Sequence, residues 1–190
     1  MTVLKLDNSN HKRVMKMVSV VSTKSFFNYP CSHRQWADKG HCQYLHGYSR
    51  SFHFHFVSDS LQEGTGWVQD FGDLKWLKKH LDEMFDHTTL ISSKDPHLVT
   101  LKNMHSLNII NLRIMKNPSM EGTAKYLFEW INREFEFSKL KGNRFVRCFK
   151  VEVRENEKNS AIFELPKEAI LKLDWEQIET LLSDVAYKDI

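Results

Sequence analysis

The sequence predicts an α+β domain built on an antiparallel sheet, and three observations carry that prediction. Residues 14–28 and 45–57 are two β-branched and aromatic runs joined by a polar connection, a natural antiparallel pair. Residues 73–85 and 119–137 repeat apolar side chains at helical spacing. A second strand pair, 144–155 and 159–164, closes as a hairpin across 156–158. Four strands in pairs with two central helices make an α+β domain. With 190 residues and 41% hydrophobic content the chain is long enough to bury one real core.

The elements follow in order. Residues 1–13 are polar and read as a flexible N-terminal arm. The first strand, 14–28 (VMKMVSVVSTKSFFN), delivers His33 just past its end. In the second strand His46, Tyr48, Arg50, Phe52, Phe54 and Phe56 share one face, and Gly47, Ser49, Ser51, His53 and His55 the other. Gly64 and Gly66 bracket a turn over 58–66. In the helix over 73–85, Leu74, Leu77, Leu81 and Met84 form the apolar stripe, and Asp86-His87 follows its end. Residues 91–115 are hard to read: Asp95-Pro96 can start a short helix through Leu101, and 109–115 can form an extra strand. The helix over 119–137 buries Ala124, Leu127, Phe128, Ile131 and Phe135, with Pro118 and Ser119 as start signals. Phe145, Phe149, Val151, Val153 and Glu155 share one parity in the third long strand. The tail carries a helix over 174–187 with Trp175, Ile178, Leu182 and Val185 inward, opened by Asp174 and Gln177 as a capping box.

Composition excludes several classes. A net charge of +3 without a basic run argues against a nucleic-acid partner. No apolar run approaches the ~20 residues of a membrane span, and the N-terminus has no signal-peptide pattern. Cys31, Cys42 and Cys148 are odd in number and unlike a disulfide framework, which makes the cytoplasm the expected location.

Chemistry concentrates between Tyr29 and Phe56. Cys42 lies four residues before His46, and a thiol beside imidazoles can act as nucleophile or base. From residues alone, a metal or thiol site and a set of packed or solvated strand histidines are equally good readings of this stretch. Asp86-His87 is either an exposed helix end or a proton-transfer unit. Glu121, in the first turn of its helix, suits the helix dipole. Glu155 closes an apolar stripe, either as an exposed strand end or as a buried anchor.

C-x3-H-G-Y (Cys42, His46, Gly47, Tyr48), preceded by Ser32-His33, resembles the 6-pyruvoyl-tetrahydropterin and 6-carboxy-tetrahydropterin synthase family. Four later motifs follow in the family's order: Gly66 to Phe71 (G-W-V-Q-D-F), Phe85-Asp86-His87, Asn117 to Glu121 (N-P-S-M-E) and Val153 to Asn156 (V-R-E-N). The resemblance covers about 18–163.

That resemblance implies a tunnelling fold (T-fold): a four-stranded antiparallel sheet with two helices on one face over 14–164, plus a C-terminal helical extension over 165–190. Residues 91–115 then read as an insertion. It implies a homo-oligomer, a hexamer in the family, with active sites between subunits. It implies zinc held by His33, His46 and a third histidine, whose place Tyr48 takes; His41 or a water are the other candidates for that position. Cys42, Asp86 and His87 would be catalytic, with Glu155 and Glu121 on the pterin. The implied reaction is a lyase step on 7,8-dihydroneopterin triphosphate. The C-x3-H spacing resembles the carboxy branch of the queuosine and deazapurine pathway more than the pyruvoyl branch. A T-fold pterin or purine binder with a degenerate metal site is the non-catalytic alternative; filled positions at Cys42, Asp86 and His87 favour the enzyme.

Overall fold

The computed structural model describes residues 20–140 and 145–184. The expected arm at 1–13, the start of the first strand at 14–19, Arg144 and the tail at 185–190 lie outside them. Six strands form one sheet: β1 (Ser22–His33), β2 (His46–Ser58), β3 (Thr88–Ser92), β4 (Leu112–Met115), β5 (Val146–Arg154) and β6 (Ser160–Glu164). Their spatial order is β4-β3-β1-β2-β5-β6. The expected four antiparallel strands are the block β1-β2-β5-β6. The sheet as a whole is six-stranded and mixed, because β3 pairs parallel to β1 and β4 parallel to β3.

Helices α1 (Lys75–Phe85) and α3 (Met120–Leu140) cover one face. Against it pack Phe52, Phe54 and Phe56 of β2, Leu77, Leu81 and Phe85 of α1, and Leu127, Phe128 and Ile131 of α3, all without exposure. Each such side chain contributes about 1.5–3 kcal/mol by leaving water. This aromatic ladder is the face predicted for β2.

The extra strands arise from 88–115, where β3, helix α2 (Leu98–Ser106) and β4 make a parallel crossover. Every residue of β3 is buried. Leu90 joins the main core, while Ile91 joins a second cluster with Leu101 of α2 and Leu112 of β4. Successive strand residues face opposite sides, so α2 covers the face that α1 and α3 leave open. A strand buried on both sides shows no apolar–polar alternation, which is why Thr88–Ser92 was not predicted.

Two register shifts decide which side chains face the core. Between the pairs Phe26↔Phe52 and Tyr29↔Arg50, β1 advances three residues while β2 advances two. This one-residue bulge, with Asn28 at φ 66°, brings Tyr29, Cys31 and His33 onto the buried side together with Phe26. A regular strand would have turned His33 away from it. In β5 a second shift, between His55↔Lys150 and Phe56↔Cys148, leaves Phe149 unpaired. The predicted stripe is corrected accordingly: Val151 and Val153 continue inward through Cys148 and Val146, and Phe149 meets His55 instead.

After β6 come a short helix α4 (Lys167–Ile170) and helix α5 (Trp175–Asp184). The capping box forms as predicted: Gln177 N–H donates to Asp174 Oδ1 at 2.8 Å and Asp174 N–H to Gln177 Oε1 at 3.1 Å. Ile178 and Leu182 seat α5 in the core, and Lys125 of α3 donates to the Leu182 carbonyl at 2.8 Å. No described helix is long and apolar enough to cross a membrane.

Candidate active site

The site forms where β1 ends and β2 begins. His33 and His46 are direct cross-strand partners, with ring centroids 4.3 Å apart. The Nδ1 of His46 lies 2.7 Å from the Tyr44 carbonyl. A carbonyl only accepts, so Nδ1 carries the proton and Nε2 keeps its lone pair. His33 is buried, and its Nδ1 has no hydrogen-bond partner among the described residues. Burial pushes His33 down to about 3, with the neighbouring Arg50 and His46 adding to the effect. It is therefore an uncharged donor at neutral pH.

Glu155 completes the cluster from the end of β5. Ser51 pairs with Arg154, so the next residue comes level with Arg50. Ligating atoms of His33, His46 and Glu155 all lie within 4.8 Å of one another. That spacing leaves the three donors able to share a single ion. An orphaned buried imidazole nitrogen, a second imidazole with its lone pair free and a carboxylate fit a divalent metal. Glu155 also accepts from the side-chain amides of Asn156 at 3.4 Å and Asn159 at 3.3 Å through Oε2.

Tyr48 is 39% exposed and meets His46 edge-on, with centroids 5.8 Å apart. Two residues further along β2, Arg50 is fully buried. It donates to Thr123 Oγ1 at 3.1 Å and to the Pro118 carbonyl at 3.3 Å, which ties the start of α3 to the site. Its Nε has no partner among the described residues. Burial lowers the Arg50 guanidinium from its ordinary value, while Cys31 and Glu155 act the other way. Strand parity had put Arg50 on the His46 face; a charge inside a phenylalanine stripe was the available signal for its importance.

Cys42 sits on a 3-10 turn, His41–Gln43, that enters β2, and it is the exposed thiol of the three cysteines. The Gln35 N–H holds this turn by donating to the Cys42 carbonyl at 2.8 Å. Burial raises Cys31, and raises Cys148 to about 12, which makes both inert. His41 lies on the same exposed turn. Asp86 and His87 are exposed beyond the end of α1, where His87 Nδ1 donates to Asp86 Oδ1 at 2.7 Å. That bond fixes the tautomer and leaves Nε2 as the base. The His87 backbone, at φ 52°, donates to the Pro30 carbonyl at 2.8 Å, which anchors the pair against β1. His87 and Tyr48 line one open concavity of about 580 Å³, together with Ser32, Thr89 and Asn111. Glu121 stays exposed in the first turn of α3. His53 faces away from the trio as expected, bonded to Ser25 Oγ at 2.8 Å.

The chain is similar to known proteins. Residues 22–166 match the family model described as 6-pyruvoyl tetrahydropterin synthase. A 6-carboxy-5,6,7,8-tetrahydropterin synthase of Rickettsia conorii is 29% identical over 135 residues, spanning 63% of this chain and 96% of that protein. The enzyme of the same name from Rickettsia felis is 28% identical with the same coverage. Among solved structures, an uncharacterized protein of Wolinella succinogenes superposes with a TM-score of 0.67 at 22% identity, covering 78% of this chain and 99% of that one. The 6-pyruvoyl tetrahydropterin synthase of Plasmodium vivax does so at 0.53 and 17% identity, covering 77% and 98%. The chain belongs to the 6-pyruvoyl tetrahydropterin synthase family.

Proposed function

We propose that this protein is a carbon–oxygen lyase of the 6-carboxy-5,6,7,8-tetrahydropterin synthase type. It would convert 7,8-dihydroneopterin triphosphate to 6-carboxytetrahydropterin, acetaldehyde and triphosphate, in queuosine and deazapurine biosynthesis. The observation that supports this best is the cross-strand pair His33–His46 with Glu155 beside it, in a chain whose relatives bear that synthase name. Zinc bound by His33 and His46, with one further oxygen donor in the third place, would supply Lewis acidity to the substrate's side-chain hydroxyls.

The chain's own residues divide the remaining work. Cys42, exposed on its turn, takes up a proton as thiolate. His87, its Nδ1 held by Asp86, relays a second proton through Nε2. Glu155 accepts the parallel N–H donors of the pterin edge when substrate is present, with Glu121 as a further contact. Among the described residues the outer strands β4 and β6 have no further strand beside them, which favours a homo-oligomer, a hexamer by family resemblance, with active sites between subunits. Three cysteines without a disulfide suit a cytoplasmic location.

Product analysis tests the reading. The protein and a Cys42→Ala variant are incubated with 7,8-dihydroneopterin triphosphate and zinc, and the pterins are read by mass spectrometry. A 6-carboxy product with acetaldehyde, absent from the variant, is the expected result. A 6-pyruvoyl product moves the protein to the sister activity. Unchanged substrate with both proteins overturns the synthase reading in favour of a T-fold pterin or purine binder.

A further inference from the structure

We propose that Glu155, and not Tyr48, is the third protein ligand of the metal in the substrate-free protein, giving a site of two histidines and one carboxylate. The inference rests on the metal reading above and deepens it. Sequence position alone points to Tyr48, two residues after His46. Geometry points to Glu155, which comes from a different strand and brings a carboxylate oxygen within 4.8 Å of both imidazoles.

The chemistry of the donors agrees. A phenol becomes an anionic ligand only after losing a proton that it ordinarily holds to about pH 10. A carboxylate is anionic already and is a regular partner of imidazole on divalent ions. Tyr48 faces solvent and touches His46 through the edge of its ring. Glu155 instead has the Asn156 and Asn159 amides on Oε2, which leaves Oε1 for the metal.

Buried Arg50 explains why an anion belongs at that point. Its guanidinium donates to two neutral acceptors, Thr123 Oγ1 and the Pro118 carbonyl. Cys31 and then Glu155 are the groups that act on it electrostatically against the cost of burial. A buried cation is costly unless an anion stands close, so the Arg50 guanidinium favours a carboxylate at the mouth of the trio. Glu155 would hold the metal in the substrate-free protein and would serve the pterin edge once substrate is bound.

Zinc binding to the substrate-free protein tests this by competition with a chromophoric chelator, with bound metal counted by elemental analysis. We expect about one zinc per chain, an affinity at least ~10-fold weaker in Glu155→Gln, and a change of less than ~3-fold in Tyr48→Phe. Glu155→Asp, which restores the anion on a shorter arm, is expected to recover part of the loss. The visible bands of the cobalt(II)-loaded protein should shift in Glu155→Gln and not in Tyr48→Phe. Circular dichroism of each variant identifies one that fails to fold. Unchanged affinity and spectrum in Glu155→Gln, or a loss confined to Tyr48→Phe, overturns the assignment and leaves the metal reading standing. No zinc on the wild-type protein overturns both.

Discussion

Asn132 of α3 clasps the backbone of Cys148 in β5 from both sides. Its Oδ1 accepts from the Cys148 N–H at 2.9 Å and its Nδ2 donates to the Cys148 carbonyl at 2.8 Å. The same Nδ2 also donates to the Phe128 carbonyl at 3.0 Å. All of this is buried, beside the bulge that leaves Phe149 unpaired. The amide thus replaces ladder bonds that the bulge disrupts. Asn132→Leu removes the clasp and strands a buried N–H and C=O. A loss of about 2–4 kcal/mol is expected in urea unfolding, since each such group costs about 1–3 kcal/mol.

His80 is expected to make the protein's stability fall in mild acid. It stacks on Trp130, with centroids 3.6 Å apart and planes 9° apart, and accepts from Tyr126 Oη at Nε2, 2.9 Å away. Burial pushes it down to about 4, against a weaker opposing effect of Glu83. The unfolded chain, with histidine near 6.5, binds the proton first. Stability therefore rises with pH between about 4 and 6.5 and levels off above. His33, pushed down to about 3, adds to the same slope in metal-free protein. Urea titrations of metal-free protein across that window should show a shallower slope in His80→Gln than in wild type. An unchanged slope would mean that His80 takes no part.

The central sheet was legible because its strands obey simple alternation. The stripe Phe52, Phe54, Phe56 reads directly as a core face. The helical stripes did the same for Leu77 and Leu81, and for Leu127, Phe128 and Ile131. What the sequence hid was register. Nothing in S-F-F-N-Y-P announces the bulge at 26–29, yet that extra residue puts His33 opposite His46 on the buried side. Likewise β3 lacks alternation because α2 covers its second face, and the value of Arg50 depends on a neighbour about a hundred residues away. Local patterns show faces; long-range pairing assembles the site.

The 88–115 unit is tied to the end of β1 that carries His33 by Arg34 and Asp95. Arg34 directly follows His33, and its Nε approaches Asp95 Oδ2 to 2.8 Å, an ionic contact without hydrogen-bond alignment. The Asp95 side chain has no exposure, and its Oδ1 accepts from the His97 N–H at 2.8 Å at the entry to α2. Asp95→Asn keeps the shape and the α2 contact but removes the charge facing Arg34. A destabilisation of about 1–3 kcal/mol is expected for the metal-free protein, because Arg34 then loses its partner in a largely dry place. Zinc affinity should weaken with it, since His33 is the adjacent residue. Equal stability of the two proteins would show that the contact is not energetically significant.

Arg50 should separate stability from function. It is the largest fully buried side chain of β2 and carries a charge into an aromatic core. Desolvating a guanidinium costs several kcal/mol, a cost that an apolar side chain of similar size does not carry. Arg50→Met fills similar space without the charge. Against this gain, the Pro118 carbonyl and Thr123 Oγ1 lose a donor. The net change in unfolding free energy should therefore stay within about 2 kcal/mol of wild type. The metal site should respond differently. Without Arg50 the trio loses the buried neighbour that ties the start of α3 to it, and zinc affinity is expected to fall about 10-fold, the scale of losses from partners beyond the ligands themselves. Chelator competition and urea unfolding on the same preparation check both parts. A large loss of stability with unchanged metal affinity would assign Arg50 to the core alone.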